Sequence, residues 1–208
     1  DKSHAYRVTM SKIYHKFATV YDAMGADRHS LRMCEYTLEL FKKYKFSPHS
    51  GVEICCGTGS ALKFFVDHRY SMAGLDQSAQ MLVQARKKVG KAVPLVRATL
   101  PKFRIPDRIY LNRNRQFDFA LSYYDSLNYL LKPADLKTTF ENVAKHLSEG
   151  GLFIFDMNSP QALEGIWGDN LWGGAHPDLC WIFRHTFDKA NTLGTVRSRA
   201  RTPGTCST

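Results

Sequence analysis

The chain has 208 residues, of which 44% are hydrophobic and 23% charged. That is room for one globular domain with an elaboration, and it excludes disordered, collagen-like and coiled-coil chains. Lysine and arginine exceed aspartate and glutamate by ten, a balance that suits either simple solubility or an acidic partner such as RNA. Uninterrupted apolar runs such as Leu152 to Phe155 are far short of the ~20 residues of a membrane span. The first thirty residues scatter Lys2, Arg7, Lys12, Lys16 and Arg28 among polar neighbours, so no secretory signal and no membrane association are expected. The five cysteines lack C-x-x-C and zinc-ligand spacing. They read as buried thiols in a reducing compartment, so a cytoplasmic location and no metal are expected.

In chain order, residues 11–24 are predicted as a short helix carrying Tyr14, Phe17 and Tyr21. A second helix is predicted to be capped by Ser30 and to run to about Tyr44, with Leu31, Cys34, Leu38 and Phe41 as its apolar stripe. Gly51 to Cys56 reads as a buried strand, followed by the Gly57-Thr-Gly59 turn and a helix from Ser60 to about Asp67. Ser71 to Asp76 is a second strand, and Ser78 caps a helix through about Val89. Val93 to Ala98 is a third strand. Residues 100–116, polar and basic with two prolines, are predicted as a loop. Phe117 to Tyr123 is a fourth strand, and a helix over 133–147 is stopped by Glu149-Gly-Gly151. Leu152 to Met157 is the fifth strand. An aromatic segment, Ile166 to Trp172, then precedes a hairpin of Leu179 to Phe187 and Thr192 to Arg199.

Strands alternating with helices predict a doubly wound, mostly parallel α/β sheet, whose ligands bind beyond the carboxyl ends of the strands. The residues after each strand support this. Glycines at 57 and 59 let the backbone turn tightly and approach a ligand, and the next helix offers free N–H groups. A dinucleotide fingerprint would carry a third glycine where Leu62 stands, which weighs against a nicotinamide dehydrogenase. Asp76 ends the second strand 17 residues after Gly59. A carboxylate there can accept two hydrogen bonds from a ribose diol, or it can cap the next helix.

Four segments together resemble class I S-adenosylmethionine-dependent methyltransferases: Val52-Glu-Ile-Cys-Cys-Gly-Thr-Gly-Ser60, Gly74-Leu-Asp-Gln-Ser-Ala-Gln-Met-Leu82, Phe117 through Asp125-Ser-Leu-Asn-Tyr-Leu130, and Leu147-Ser-Glu-Gly-Gly-Leu-Phe-Ile-Phe-Asp156. The resemblance spans about residues 14–160 and is greatest to small bacterial-type members related to aminosugar N-methyltransferases. It implies a Rossmann-like cofactor core with an N-terminal helical lid over 1–156, and an antiparallel substrate cap with an irregular tail over 157–208. It implies S-adenosylmethionine as cofactor and S-adenosylhomocysteine as product, with a methyl group moving to a nitrogen or oxygen of a small molecule.

By the same resemblance, Glu53, Cys55, Gly57 and Gly59 hold the methionine end and Asp76 the ribose. Gln77 and Met81 flank the adenine, with Thr99 where the family usually carries aspartate. Tyr14, Phe17, Tyr21 and Asp22 match the family's Tyr-x-x-Phe-Ala-x-x-Tyr-Asp segment, which closes over the cofactor. Their aromatic faces also suit a sulfonium cation, and plain helix packing is the alternative for that stripe. Tyr123, counted with the cofactor residues, and Tyr124 and Asp125 fall where the family lines the gap between sulfonium and acceptor. Tyr21, Tyr123 and Asp125 are the catalytic candidates, beside His15 and Tyr124, and His29, His176 and His185 are candidates for lining the acceptor pocket.

No Asn-Pro-Pro-Tyr or Pro-Cys follows strand four, which argues against adenine-amino and cytosine-carbon chemistry. An RNA methyltransferase, motivated by the net charge and the 102–115 loop, and a non-catalytic cofactor-binding module remain the alternative readings. The tail from Arg201 is too short for the two further core strands of the family. The final strands are therefore expected to be missing or altered, with a partner chain, as in a homodimer, or a rearrangement covering the sheet edge.

Overall fold

The computed structural model describes residues 18–19, 21–110, 114–176 and 179–201. Its chain divides into two compact units, one containing Ala26–Asp156 and the other Met157 onward together with Ala23–Gly25. The larger unit is built on a five-stranded parallel sheet: β1 (Ser50–Ile54), β2 (Ser71–Asp76), β3 (Leu95–Arg97), β4 (Phe117–Ser122) and β5 (Leu147–Phe155), in the order β3-β2-β1-β4-β5. The helices are α1 (Arg28–Lys43), α2 (Ser60–Asp67), α3 (Ala79–Val89) and α4 (Pro133–Ala144).

Burial follows position in the sheet. Every residue of β1 is buried, as are all but the first of β2 and all but one of β4, whereas β3 and β5 are only partly covered. Central parallel strands are covered on both faces, which explains their near-continuous apolar runs. One core cluster joins Val52, Ile54, Leu75 and Ala120 to Val143 of α4. The other joins Met72, Phe119 and Leu121 to Cys34 and Phe41 of α1 and Leu62 and Phe65 of α2. The rings of Phe41, Phe65 and Tyr70 surround Phe119 with centroids 5.1 to 5.8 Å away; Phe41 and Tyr70 meet it edge to face, as aromatic quadrupoles favour, and Phe65 is tilted.

Several expectations are corrected. Residues 18–19 and 21–24, predicted as the end of a helix, are turns; the rest of that predicted helix lies outside the described residues. Helix α1 begins at Arg28, with Asp27 at its N-cap, so Ser30 is helical rather than a cap. The 100–116 stretch supplies Phe103, Ile105 and Ile109 to the core despite its basic composition. Its apolar residues recur too sparsely to show a period, and only tertiary packing selects them. Helix α4 stops at Ala144, and Glu149-Gly-Gly151, read as a helix stop, lies inside β5, which begins at Leu147. The β4–β5 register shifts between Phe117 and Phe119, so the glycine pair lies in a strand irregularity, a common place for glycine. Among the described residues no strand pairs with the outer edge of β5.

The smaller unit is a three-stranded antiparallel sheet, β6 (Leu171–His176), β7 (Leu179–Asp188) and β8 (Leu193–Arg201), preceded by a helical segment over 160–167. It is one strand larger than the predicted hairpin, because part of the aromatic segment pairs with β7. The glycines at 173 and 174 masked the alternation that marks a strand. Trp167 stacks on the buried His185 at 4.4 Å. Among the described residues no helix is long and apolar enough to cross a membrane.

Gly51 shows how closely the central strands pack. A Cβ there would lie 2.4 Å from the fully buried ring of Phe119. Gly51→Ala is therefore expected to cost about 1–3 kcal/mol through overpacking, measured as a lower urea midpoint with an unchanged slope.

Candidate functional site

The strand order reverses direction between β1 and β4, and a crevice at the carboxyl ends of these strands is the geometric consequence. The pocket found there is lined from every side by loops that leave strands. Glu53, Cys55, Cys56, Gly57 and Thr58 come from the end of β1, Asp76 and Gln77 from the end of β2, and Ala98 to Leu100 follow β3. Tyr123, Tyr124, Ser126, Tyr129 and Leu130 follow β4, and Tyr21, Asp27 and Ser30 come from the N-terminal turn and α1.

The floor is acidic. Glu53 is buried and receives the backbone N–H of Leu62, but its Oε2 has no hydrogen-bond partner. Burial, and then the negative charge of Asp76, push its carboxyl well above the usual range. Asp76 Oδ2 accepts from the Gly57 N–H at 2.9 Å and Oδ1 from the Ser78 N–H at 2.7 Å. Burial raises its pKa and these backbone donors partly offset the shift. An ionised carboxylate has about four acceptor positions, so Asp76 both fixes the glycine loop and keeps capacity for ligand hydroxyls. The alternative reading as a helix cap is answered by Ser78, whose Oγ accepts from the Met81 N–H at the start of α3.

The glycine loop is shaped by left-handed backbone. Gly57 has φ +51° with open space where a side chain would stand. Gly59 has φ +76°, and a Cβ added there would lie 3.0 Å from the Ala85 Cβ. Of the two, Gly57 lines the pocket and Gly59 turns the chain into α2 against α3. Cys55, Tyr124 and Asp125 also have positive φ. Non-glycine residues pay about 1–3 kcal/mol each for such a conformation, and it concentrates at functional sites.

After β4, the catalytic candidates separate. Tyr123 lines the pocket with its ring, but its hydroxyl is bound to Thr37 Oγ1 at 2.6 Å inside the core. Burial raises the pKa of both Tyr123 and Tyr21. These phenols stay neutral at physiological pH and are unsuited to act as bases. Tyr21 lies near Tyr124, with ring centroids 6.5 Å apart. The Asp125 N–H donates to Asp156 Oδ2, which also meets His29 Nε2 at 3.0 Å. Asp156, just beyond β5, thus holds the strained Tyr124–Asp125 turn, while its Oδ1 is buried without a partner.

Gln77, Met81 and Thr99 all line the same pocket. Tyr14 and His15 lie outside the described residues, as does Phe17. His185 belongs to the smaller unit, where it packs on Trp167. Sequence reasoning passed over Asp27, Ser60, Leu100 and Tyr129 in the pocket wall and the structural part of Asp156. For Asp156 a signal existed, because it occupies the carboxyl end of a parallel strand. Among the described residues no group of His, Cys, Asp or Glu is arranged to hold a metal ion.

Residues 52–153 match a family model described as a methyltransferase domain. The crystal structure of a S-adenosylmethionine-dependent methyltransferase from Clostridium acetobutylicum superposes with a TM-score of 0.64 at 25% identity, covering 91% of this chain and 81% of that one. Residues 52–153 thus form a methyltransferase domain. Two relatives extend the comparison. Putative methyltransferase YqeM of Bacillus subtilis is 27% identical over 83% of this chain and 66% of its own length. The dTDP-3-amino-3,4,6-trideoxy-alpha-D-glucopyranose N,N-dimethyltransferase of Streptomyces venezuelae is 30% identical over 50% of this chain and 40% of its own. The chain thus spans between two fifths and two thirds of the length of these curated relatives.

In this methyltransferase domain the Tyr123 hydroxyl belongs to the core. Tyr123→Phe strands the buried Thr37 hydroxyl and is expected to cost about 1–3 kcal/mol of stability. Affinity for S-adenosylhomocysteine should stay at the wild-type value when both are measured on the purified protein.

Proposed function

We propose that the protein transfers a methyl group from S-adenosylmethionine to a nitrogen or oxygen of a small molecule. The observation that carries the reading is the buried carboxylate oxygen of Glu53, unpartnered beside the glycine loop and in one pocket with Asp76. A buried carboxylate without a partner is costly, and the ammonium of a methionine moiety supplies the missing charge. Glu53 with the loop at Gly57 holds that end, Asp76 accepts from the ribose hydroxyls, and Gln77, Met81 and Thr99 border the adenine. S-adenosylmethionine, when bound, supplies an electrophilic methyl group on a sulfonium.

The chain's own task is then orientation and charge. Tyr21, Tyr124 and Tyr129 border the reacting end as aromatic groups, whose faces suit a cation. Asp125 stands at the acceptor side on a turn pinned by Asp156, and orienting a nucleophile is the larger part of such catalysis. The acceptor class is supported by the amino-sugar N,N-dimethyltransferases among the relatives. Residues 1–156 serve as the cofactor core and 157–208 as the acceptor cap. The thiols of Cys34, Cys55 and Cys56, all free, fit a cytoplasmic setting, and the open edge of β5 fits self-association into a homodimer. RNA is the second reading for the acceptor, favoured by the groove where Lys102, Arg104 and Lys145 gather. RNA binding there would weaken steeply with salt.

Calorimetric titration with S-adenosylhomocysteine beside NAD tests the cofactor. Saturable binding of the former alone, abolished in Asp76→Ala, is the expected result, and binding of NAD instead would overturn the reading. The pH dependence follows from Glu53. Its carboxyl is held above its ordinary value in the free protein, and the cationic ligand favours the ionised form. Affinity is therefore full above that raised pKa and falls as pH drops through it, by up to about tenfold per pH unit for one proton. The loss should begin above the usual carboxylate range and be shallower in Glu53→Gln.

A further inference from the structure

Lys88 is the penultimate residue of α3, where a lysine ordinarily extends into solvent near the helix C-terminus. Here it turns back, and its side chain is 24% exposed. Its Nζ donates to Asp22 Oδ2 at 2.7 Å, Ser60 Oγ at 2.5 Å and Thr58 Oγ1 at 3.3 Å. The circuit closes on itself. Thr58 Oγ1 donates to the other oxygen of Asp22 at 2.6 Å, and Ser60 Oγ donates to Asp27 Oδ2 at 3.0 Å. Two acids from the N-terminal turn are thus tied to two hydroxyls of the glycine loop and α2 around one ammonium.

The tied residues border the pocket. Tyr21, immediately before Asp22, lines it, as do Asp27, Thr58 and Ser60. The turn has no helix or strand ladder of its own to hold it. Its placement therefore depends on side-chain bonds, and charge-assisted ones are the strongest available.

We propose that Lys88 is a positioning residue for the methyltransferase. Its ammonium clamps Asp22, and with it the adjoining Tyr21, against the glycine loop and so sets how long the cofactor stays bound. The proposal rests on the cofactor reading of the pocket. A clamp of this kind acts mainly on release, since encounter does not need it and departure does. Its partly exposed charges also make it sensitive to salt.

Dissociation of S-adenosylhomocysteine from the immobilised full chain provides the test. Lys88→Met is expected to release the ligand about tenfold faster, the scale of one charge-assisted bond, with little change in association rate. Asp22→Asn should do the same, the double variant should be no faster than either, and Lys88→Arg should restore part of the residence time. Raising NaCl should speed release from wild type and leave Lys88→Met unaffected. Asp22→Asn keeps the test open if Lys88→Met does not fold. If both variants release at the wild-type rate while Asp76→Ala loses binding, the clamp is refuted and the cofactor site stands. If Asp76→Ala binds as wild type does, the cofactor reading itself fails and the clamp with it.

Discussion

Two carboxylates at the ends of neighbouring buried strands set the terms for the rest of this molecule. Burial raises the cost of ionising both Glu53 and Asp76, the charge of Asp76 adds to it at Glu53, and among the described residues no ion pair reaches either one. A fold selected for stability alone would place apolar residues there. The surroundings instead supply partial compensation: the N–H groups of Gly57, Ser78 and Leu62 point at the two acids. What is left uncompensated is an acceptor oxygen facing a pocket, which is a specification for a cationic, hydroxyl-bearing ligand.

The parallel sheet makes that arrangement available. All five strands deliver their carboxyl ends to one edge, so five loops distant in sequence converge without long-range design of any single loop. Strained backbone is also found at this edge. Cys55, Tyr124 and Asp125 adopt left-handed backbone, and Asp156 and Asp76 hold these turns with side-chain acceptors. Asp76 thus serves twice, once as a backbone support and once as a pocket group. Its substitution is expected to mix stability with binding, which is why dissociation kinetics and pH dependence are more informative than activity alone.

The clamp around Lys88 belongs to the same logic at the rim. A segment with no regular structure is ordered by side chains from the loop it must cover, so closing the pocket and shaping it draw on the same residues. Asp27 and Ser60 show this most directly, since each lines the pocket and each joins the hydrogen-bond circuit.

The amino-acid sequence by itself determined the alternation of strands and helices from β1 to β5, because apolar runs, caps and glycines are local signals. Ser78 capped its helix as its position predicts, and Asp76 and Gly57 stood at strand ends where ligand residues belong. Only the tertiary structure decided matters of distance. It showed that the Tyr123 hydroxyl turns to Thr37 and that Gly59 packs on Ala85 instead of facing the pocket. It also recruited Phe103, Ile105 and Ile109 from a basic loop into the core. Asp22 and Lys88 stand 66 positions apart, and no periodicity between them could announce their contact. Such pairings are made by the fold as a whole, since side chains at strand and helix ends meet only after the sheet has brought those ends together.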